Sequence, residues 1–178
     1  HTVVCVRCSG VEVAGHRGVG FFFFFNDPAT TEIYIFPYTT LSDLFKITPE
    51  QLRAAITPRT RAFVFNSPSN PTGAAYSPEE TDALAAVLAD TDVITLSDEM
   101  YDRLLFGGQE FKSFAATSTH AYDHTLTFNA GSKTFSMTGW RIGYAAGPVD
   151  LIKGMSKLQT QTTSGAAKIG RASCRERV

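Results

Sequence analysis

The sequence predicts an α/β fold, a mostly parallel sheet with flanking helices. Three observations predict it. Short apolar runs closed by turn residues alternate with longer segments of helical apolar spacing. Two of the helical segments open on Ser or Thr followed by Pro and Glu, and polar residues recur just beyond the apolar runs. With 178 residues, 43% of them hydrophobic, the chain suits one domain with a sizeable core.

In chain order, Thr48–Ile56 has an N-cap threonine, a first-turn proline and Glu50 ahead of apolar residues, and reads as a helix. Arg61–Pro68 is a short apolar run ended by turn residues, as a buried parallel strand is. Ser77–Asp90 opens Ser-Pro-Glu-Glu and sets Leu84, Val87 and Leu88 on one helical face. Asp92–Asp98 is the next strand, with Ser97 and Asp98 at its carboxyl end. Thr125–Asn129 and Ile142–Gly147 read as two more strands, and Pro148–Gln161 as a closing helix. Ligands of such sheets sit beyond the carboxyl ends of the strands. Asn70, Asp98 and Lys133 each end or follow a strand, so they are expected to gather there. The sequence has no internal repeat.

Sixteen basic against seventeen acidic side chains leave a net charge of −1, which gives no electrostatic reason to expect nucleic acid or an anionic membrane as partner. The apolar run Val19–Phe25 is far short of the roughly 20 residues a membrane span needs. Cys5 and Cys8 form a C-x-x-C without a second ligand pair, a weak signal for zinc or redox chemistry. Phe45–Lys168 holds no cysteine, which suits a reducing cytoplasm. His120 and His124 lack an acidic partner motif and are expected in a solvated loop.

Two segments do not read as native protein. Asn26–Leu44 fits no helical or strand period. Back-translated, it resembles the adapter of a short-read sequencing library, with Phe21–Phe25 as a poly-T tract. Ile169–Val178 back-translates to the reverse complement of the same adapter's primer segment, the inverted orientation a library insert carries. The expected organisation is therefore a non-native segment at 1–44, native coding sequence at 45–168 and a non-native tail at 169–178. Nothing in the sequence accounts for His1–Gly20.

Taken singly, the polar residues have ordinary readings. Asn66–Gly73 is turn chemistry suited to a surface loop. Asp98 suits the cap of a helix beginning near Glu99. Tyr101 suits a core, and Lys133 and Arg141 suit solvent. Yet Lys133 directly follows a strand, and Arg141 lies between Gly139 and Gly143. That setting also suits a nucleophile held beside a phosphate.

In order along the chain, N-P-T-G (Asn70–Gly73), D-E-M-Y (Asp98–Tyr101), S-K (Ser132–Lys133) and G-W-R-I-G (Gly139–Gly143) closely resemble the class I/II aminotransferases. These are pyridoxal 5'-phosphate (PLP) enzymes of fold type I, the aspartate aminotransferase group. The resemblance covers nearly all of Phe45–Gly165. It implies that residues 45–168 are part of the large PLP-binding domain of a transaminase, which passes an amino group between an amino acid and a 2-oxo acid. It implies that Lys133 is the Schiff-base lysine and then the base that moves the substrate's Cα proton. Partial desolvation and neighbouring cations are expected to lower the pKa of Lys133 for both tasks. Asp98 is implied to hold the pyridine nitrogen protonated, and Tyr101 and Asn70 to hydrogen-bond the ring's 3-oxygen. Arg141 is implied to clamp the phosphate with help from the Ser132 hydroxyl. Gly139 and Gly143 let the backbone pass close by, while Trp140 is expected to pack.

The family pattern departs at Ala130, where some relatives carry a phosphate-contacting serine. Family chains are also much longer. Their N-terminal part supplies an aromatic residue stacked on the ring, and their C-terminal part an arginine for the substrate carboxylate. Family sites borrow residues from a second subunit, which implies a homodimer for the parent protein. Two other functions fit the same residues: a PLP lyase or synthase of this fold, and a PLP-sensing aminotransferase-like domain of a transcription regulator. The residues that sort one amino acid from another lie mostly outside this segment. Expressed as written, the chain leaves sheet edges and apolar faces uncovered. It is expected to be poorly soluble and to show no measurable turnover with an amino acid and a 2-oxo acid. A coupled assay showing robust exchange overturns this.

Overall fold

The computed structural model describes residues 4–6, 32–34, 45–140 and 142–162, the first two as backbone alone. Residues 1–3, 7–31, 35–44, 141 and 163–178, Cys8 and Arg141 among them, lie outside the described residues.

Two capping boxes start the helices over one face of the sheet. Thr48 Oγ1 accepts from Gln51 N–H at 3.3 Å and Gln51 Oε1 from Thr48 N–H at 2.8 Å, opening α1 (Pro49–Ala55). Ser77 and Glu80 make the same exchange, at 3.2 and 2.7 Å, before α2 (Pro78–Leu88). In each, proline follows the cap, where its missing N–H costs nothing. Salt bridges tether the start of α2 to its surroundings: Lys46 to Glu80 at 2.7 Å, and Lys112 to Asp82 at 2.6 Å.

The strands are β1 (Val4–Val6), β2 (Glu32–Tyr34), β3 (Thr60–Asn66), β4 (Ile94–Asp98), β5 (Thr125–Ala130) and β6 (Gly143–Ala146). They form one sheet in the order β1-β6-β5-β4-β3-β2. The run β2 to β5 is parallel, as the alternating pattern predicts. β6 is antiparallel to β5, and β1 antiparallel to β6. The reversal at β6 has a local cause. Between β5 and β6 stand only the four-residue α4 (Gly131–Thr134) and a 3-10 turn at Thr138–Trp140. A parallel return needs a longer crossover to the far end of the sheet.

Side chains along β3 alternate between two cores. Phe63 and Phe65 join Leu52, Leu84, Leu88, Val93 and Phe114 under α1 and α2. Phe65 lies 5.0 Å from both the Phe114 and Tyr76 rings. Ala62 joins Leu96, Leu126, Ala145 and Ile152, with Val64 against it, under α5 (Val149–Thr162). The result is three layers, helix–sheet–helix.

The histidine pair departs from the expectation of a solvated loop. His120 and His124 lie half-buried in α3 (Thr119–His124), a helix capped by Ser118 Oγ. His120 Nε2 pairs with Thr91 O at 3.1 Å and His124 Nδ1 with His120 O at 3.0 Å. The rings stack at 4.0 Å. The backbone carbonyls satisfy ring nitrogens that the isolated sequence left to solvent. Among the described residues, no helix is long and apolar enough to cross a membrane.

The close backbone approach in this fold falls at Gly147, where a Cβ would lie 2.7 Å from Thr125 O and 3.1 Å from Leu126 Cα. Those atoms belong to β5 and have little freedom to move. Gly147→Ala is expected to destabilise the chain by about 1–3 kcal/mol, as overpacking does. The shift in denaturant midpoint at unchanged slope measures it.

Candidate functional site

The pairing of β3, β4 and β5 sets Asn66 opposite Asp98 and Asp98 opposite Phe128. The ladder runs on past the strand ends, with Glu99 N–H donating to Phe128 O at 2.9 Å. All three strands therefore discharge their loops at one edge, and the loops carry the residues singled out by sequence.

The loop after β3 is a compact turn. Ser67 Oγ accepts from Tyr76 N–H at 3.0 Å, Ser69 N–H donates to Ala74 O at 2.8 Å, and Gly73 N–H donates to Ser69 O at 2.8 Å. Gly73 takes φ +72, which a side chain would strain. This turn presents Asn70, whose Nδ2 donates to Tyr101 OH at 3.2 Å. The phenol thus accepts from Asn70 and keeps its own proton to donate elsewhere. Lys133, in α4, sets its Nζ 5.4 Å from the Tyr101 ring centroid, a cation–π contact. Tyr101 thereby joins Asn70 to Lys133.

Asp98 ends β4, half-buried. It caps no helix: residues Met100–Arg103 are turns, and its Oδ1 accepts from Met100 N–H at 3.2 Å. Burial raises its pKa, and the Met100 hydrogen bond only partly offsets this. Among the described residues no cation pairs with it. Ser132 is half-buried beside Lys133. Arg141 lies outside the described residues.

Two expectations need correction. Lys133 is exposed rather than desolvated, because α4 packs chiefly against the Thr138–Trp140 turn and no described element covers it. Trp140, expected to pack, is 57% exposed. A Cβ on Gly139 would meet no protein atom within 4 Å, so no protein contact demands glycine there.

Sequence reading passed over Glu99. It is 5% exposed, and its Oε1 accepts from Ser97 Oγ at 2.9 Å, Ser113 Oγ at 2.8 Å and Phe114 N–H at 3.1 Å. Its pKa is nevertheless raised, by burial first, against these three bonds. The adjacent acid in D-E-M-Y was the available signal, since an acidic residue flanking an apolar strand needs donors. Asp102 and Thr134 were also missed; no local pattern marks them.

The family model for aminotransferase class I and II matches residues 28–175. The chain belongs to that family. It is 56% identical over 126 residues to the aspartate/prephenate aminotransferase of Cereibacter sphaeroides, a match covering 70% of this chain and 32% of the relative. It is 52% identical over 125 residues to the aspartate aminotransferase of Geobacillus stearothermophilus, with the same coverage. The solved aspartate aminotransferase from Rhizobium meliloti superposes with a TM-score of 0.68 at 47% identity, covering 72% of this chain and 32% of that one. The chain thus spans about a third of the length of these relatives. Aspartate aminotransferases of this family depend on PLP.

The residues present fit that cofactor. Asp98 is a half-buried carboxylate with one backbone donor, suited to a protonated ring nitrogen. Tyr101 has a phenolic proton to give, and Lys133 has an exposed primary amine beside it.

The raised carboxylates set a pH dependence. For Asp98 and Glu99 the folded chain holds protons more tightly than the unfolded one. Stability therefore falls as pH rises from the ordinary carboxylate range through their raised folded values, and is recovered on acidification. Asp98→Asn is expected to flatten this slope and to raise stability at neutral pH. Urea unfolding across pH 4–8 (an order-of-magnitude window about the ordinary carboxylate values) checks both; an unchanged slope would sink the assignment.

Proposed function

We propose that this chain carries part of the cofactor site of a PLP-dependent transaminase, which exchanges an amino group between an amino acid and a 2-oxo acid. The observation that carries the reading is the convergence of Asn70, Tyr101 and Lys133 beside Asp98, at the carboxyl edge of the parallel strands. In it, Lys133 Nζ would hold the cofactor at its aldehyde, with loss of water, and would move the proton at the substrate's Cα. Asp98 would accept from the protonated ring nitrogen. Tyr101 would donate to the 3-oxygen, with Asn70 holding the phenol in place. Ser132 and Arg141 are assigned to the phosphate. PLP, when bound, would supply an electron sink at the substrate's Cα.

Relatives named for aspartate favour aspartate as the amino donor of the parent protein. The parent is read as a homodimer, following the family resemblance, and as cytoplasmic, following the absence of cysteine from Phe45–Lys168. Residues 1–44 and 169–178 are read as non-native, 21–44 and 169–178 of them as adapter-derived, and a long sequencing read across the source locus decides that point. Recovery of both ends in genomic context refutes it.

The direct test is to mix the chain with PLP, reduce with borohydride and map the labelled peptide. Label is expected on Lys133 and absent in Lys133→Ala. Asp98→Asn is expected to keep the label while weakening affinity about tenfold, the scale of one charged hydrogen bond. Label on another lysine, or none on the wild type, refutes the assignment.

A further inference from the structure

We propose that Asp102 and Thr134 form a positioning pair that holds α4, and with it Lys133, against the site. The proposal rests on the reading of Lys133 as the cofactor lysine. Thr134 Oγ1 donates to Asp102 Oδ1 at 3.2 Å. The partners come from two different loops: Asp102 follows Tyr101 in the turn after β4, and Thr134 follows Lys133 in α4. The bond therefore ties the segment bearing Asp98 and Tyr101 directly to the segment bearing the lysine.

The pair is anchored from the core outward. Glu99 is fixed by Ser97, Ser113 and Phe114. Asp102 N–H donates to Glu99 O at 3.1 Å, which holds the Asp102 backbone on that anchor. The Asp102 side chain is 19% exposed, with Arg103 Nε 3.8 Å from Oδ2, so Oδ1 is left to Thr134. The chain of contacts thus runs from the Phe114 core through Glu99 and Asp102 to Thr134 and the lysine beside it.

α4 needs such support. It has four residues and no side-chain cap at Ala130, and its closing bonds are 3.2 Å (Phe135 N–H to Gly131 O) and 3.3 Å (Ser136 N–H to Lys133 O). A single turn of helix is unstable alone because nucleation is not repaid by propagation. Phe135, just beyond it, is 68% exposed and contributes little burial. A covalent lysine must meet a carbonyl carbon within a narrow range of distance and angle. A frayed α4 would spread the lysine over many positions.

The test uses the full chain and two readouts: amide hydrogen exchange at Phe135 and Ser136, and the rate at which PLP forms a borohydride-reducible bond to Lys133. Thr134→Val and Asp102→Ala are each expected to speed the exchange about tenfold, the scale of one hydrogen bond to a charged group. Each is expected to slow bond formation. The double variant is expected to match either single one, as a pair acting together requires. Thr134→Ser, which keeps the hydroxyl, is expected to restore both readouts. Unchanged exchange in the single variants overturns the proposal, as does failure of Thr134→Ser to rescue. Faster exchange with an unchanged bond-forming rate reduces the pair to a structural tie and overturns its positioning role. If the wild type forms no reducible bond at Lys133, the cofactor reading fails, while the exchange data still decide whether the pair holds α4.

Discussion

The parallel pairing of β3, β4 and β5 governs where every chemically interesting group in this chain sits. Parallel strands all end on the same edge, so the turns after them share one neighbourhood even though the sequence separates them widely. Because Asn66 lies opposite Asp98 and Asp98 opposite Phe128, the three exits are level. A register slip of one residue would turn Asp98 to the other face of the sheet. The two cores prevent that slip. Phe63 and Phe65 fit only under α1 and α2, and Ala62 and Val64 only under α5.

At that edge two neighbouring acids take different parts. Glu99 collects three donors on one oxygen and serves the protein's own structure, fastening the Phe114 segment to the end of β4. Asp98 has a single backbone donor and no cation among the described residues. Burial raises the pKa of both. What separates them is how fully the surroundings satisfy the carboxylate. The less satisfied acid is the one suited to a cationic ligand, because an incoming positive charge returns the solvation that burial removed.

Tyr101 performs two tasks by virtue of its shape. Its hydroxyl accepts from Asn70, and its ring face meets the Lys133 ammonium. One side chain thus coordinates residues from two other segments, and the Asp102–Thr134 bond ties Tyr101's own turn to the Lys133 segment, one residue further along each. The lysine itself stands exposed at the end of a four-residue helix, so its placement depends on these tertiary ties more than on helix formation.

By itself the sequence determined the α/β class, the strands β3 to β6, the helices α1, α2 and α5 and the candidate residues. Those features rest on local rules: apolar period, Ser/Thr-Pro-Glu starts, and the composition of the motifs. The family membership was legible in the same motifs, since N-P-T-G, D-E-M-Y, S-K and G-W-R-I-G stand in the expected order. Only the tertiary structure decided the rest. That β6 runs antiparallel to β5 is visible only in their register. The helix holding His120 and His124 depends on a distant carbonyl at Thr91. The role of Glu99 depends on donors from Ser113 and Phe114, and the Asp102–Thr134 bond joins residues that no local pattern relates. Lys133 proved exposed because desolvation is a property of what packs over a residue, and nothing adjacent in the sequence specifies that.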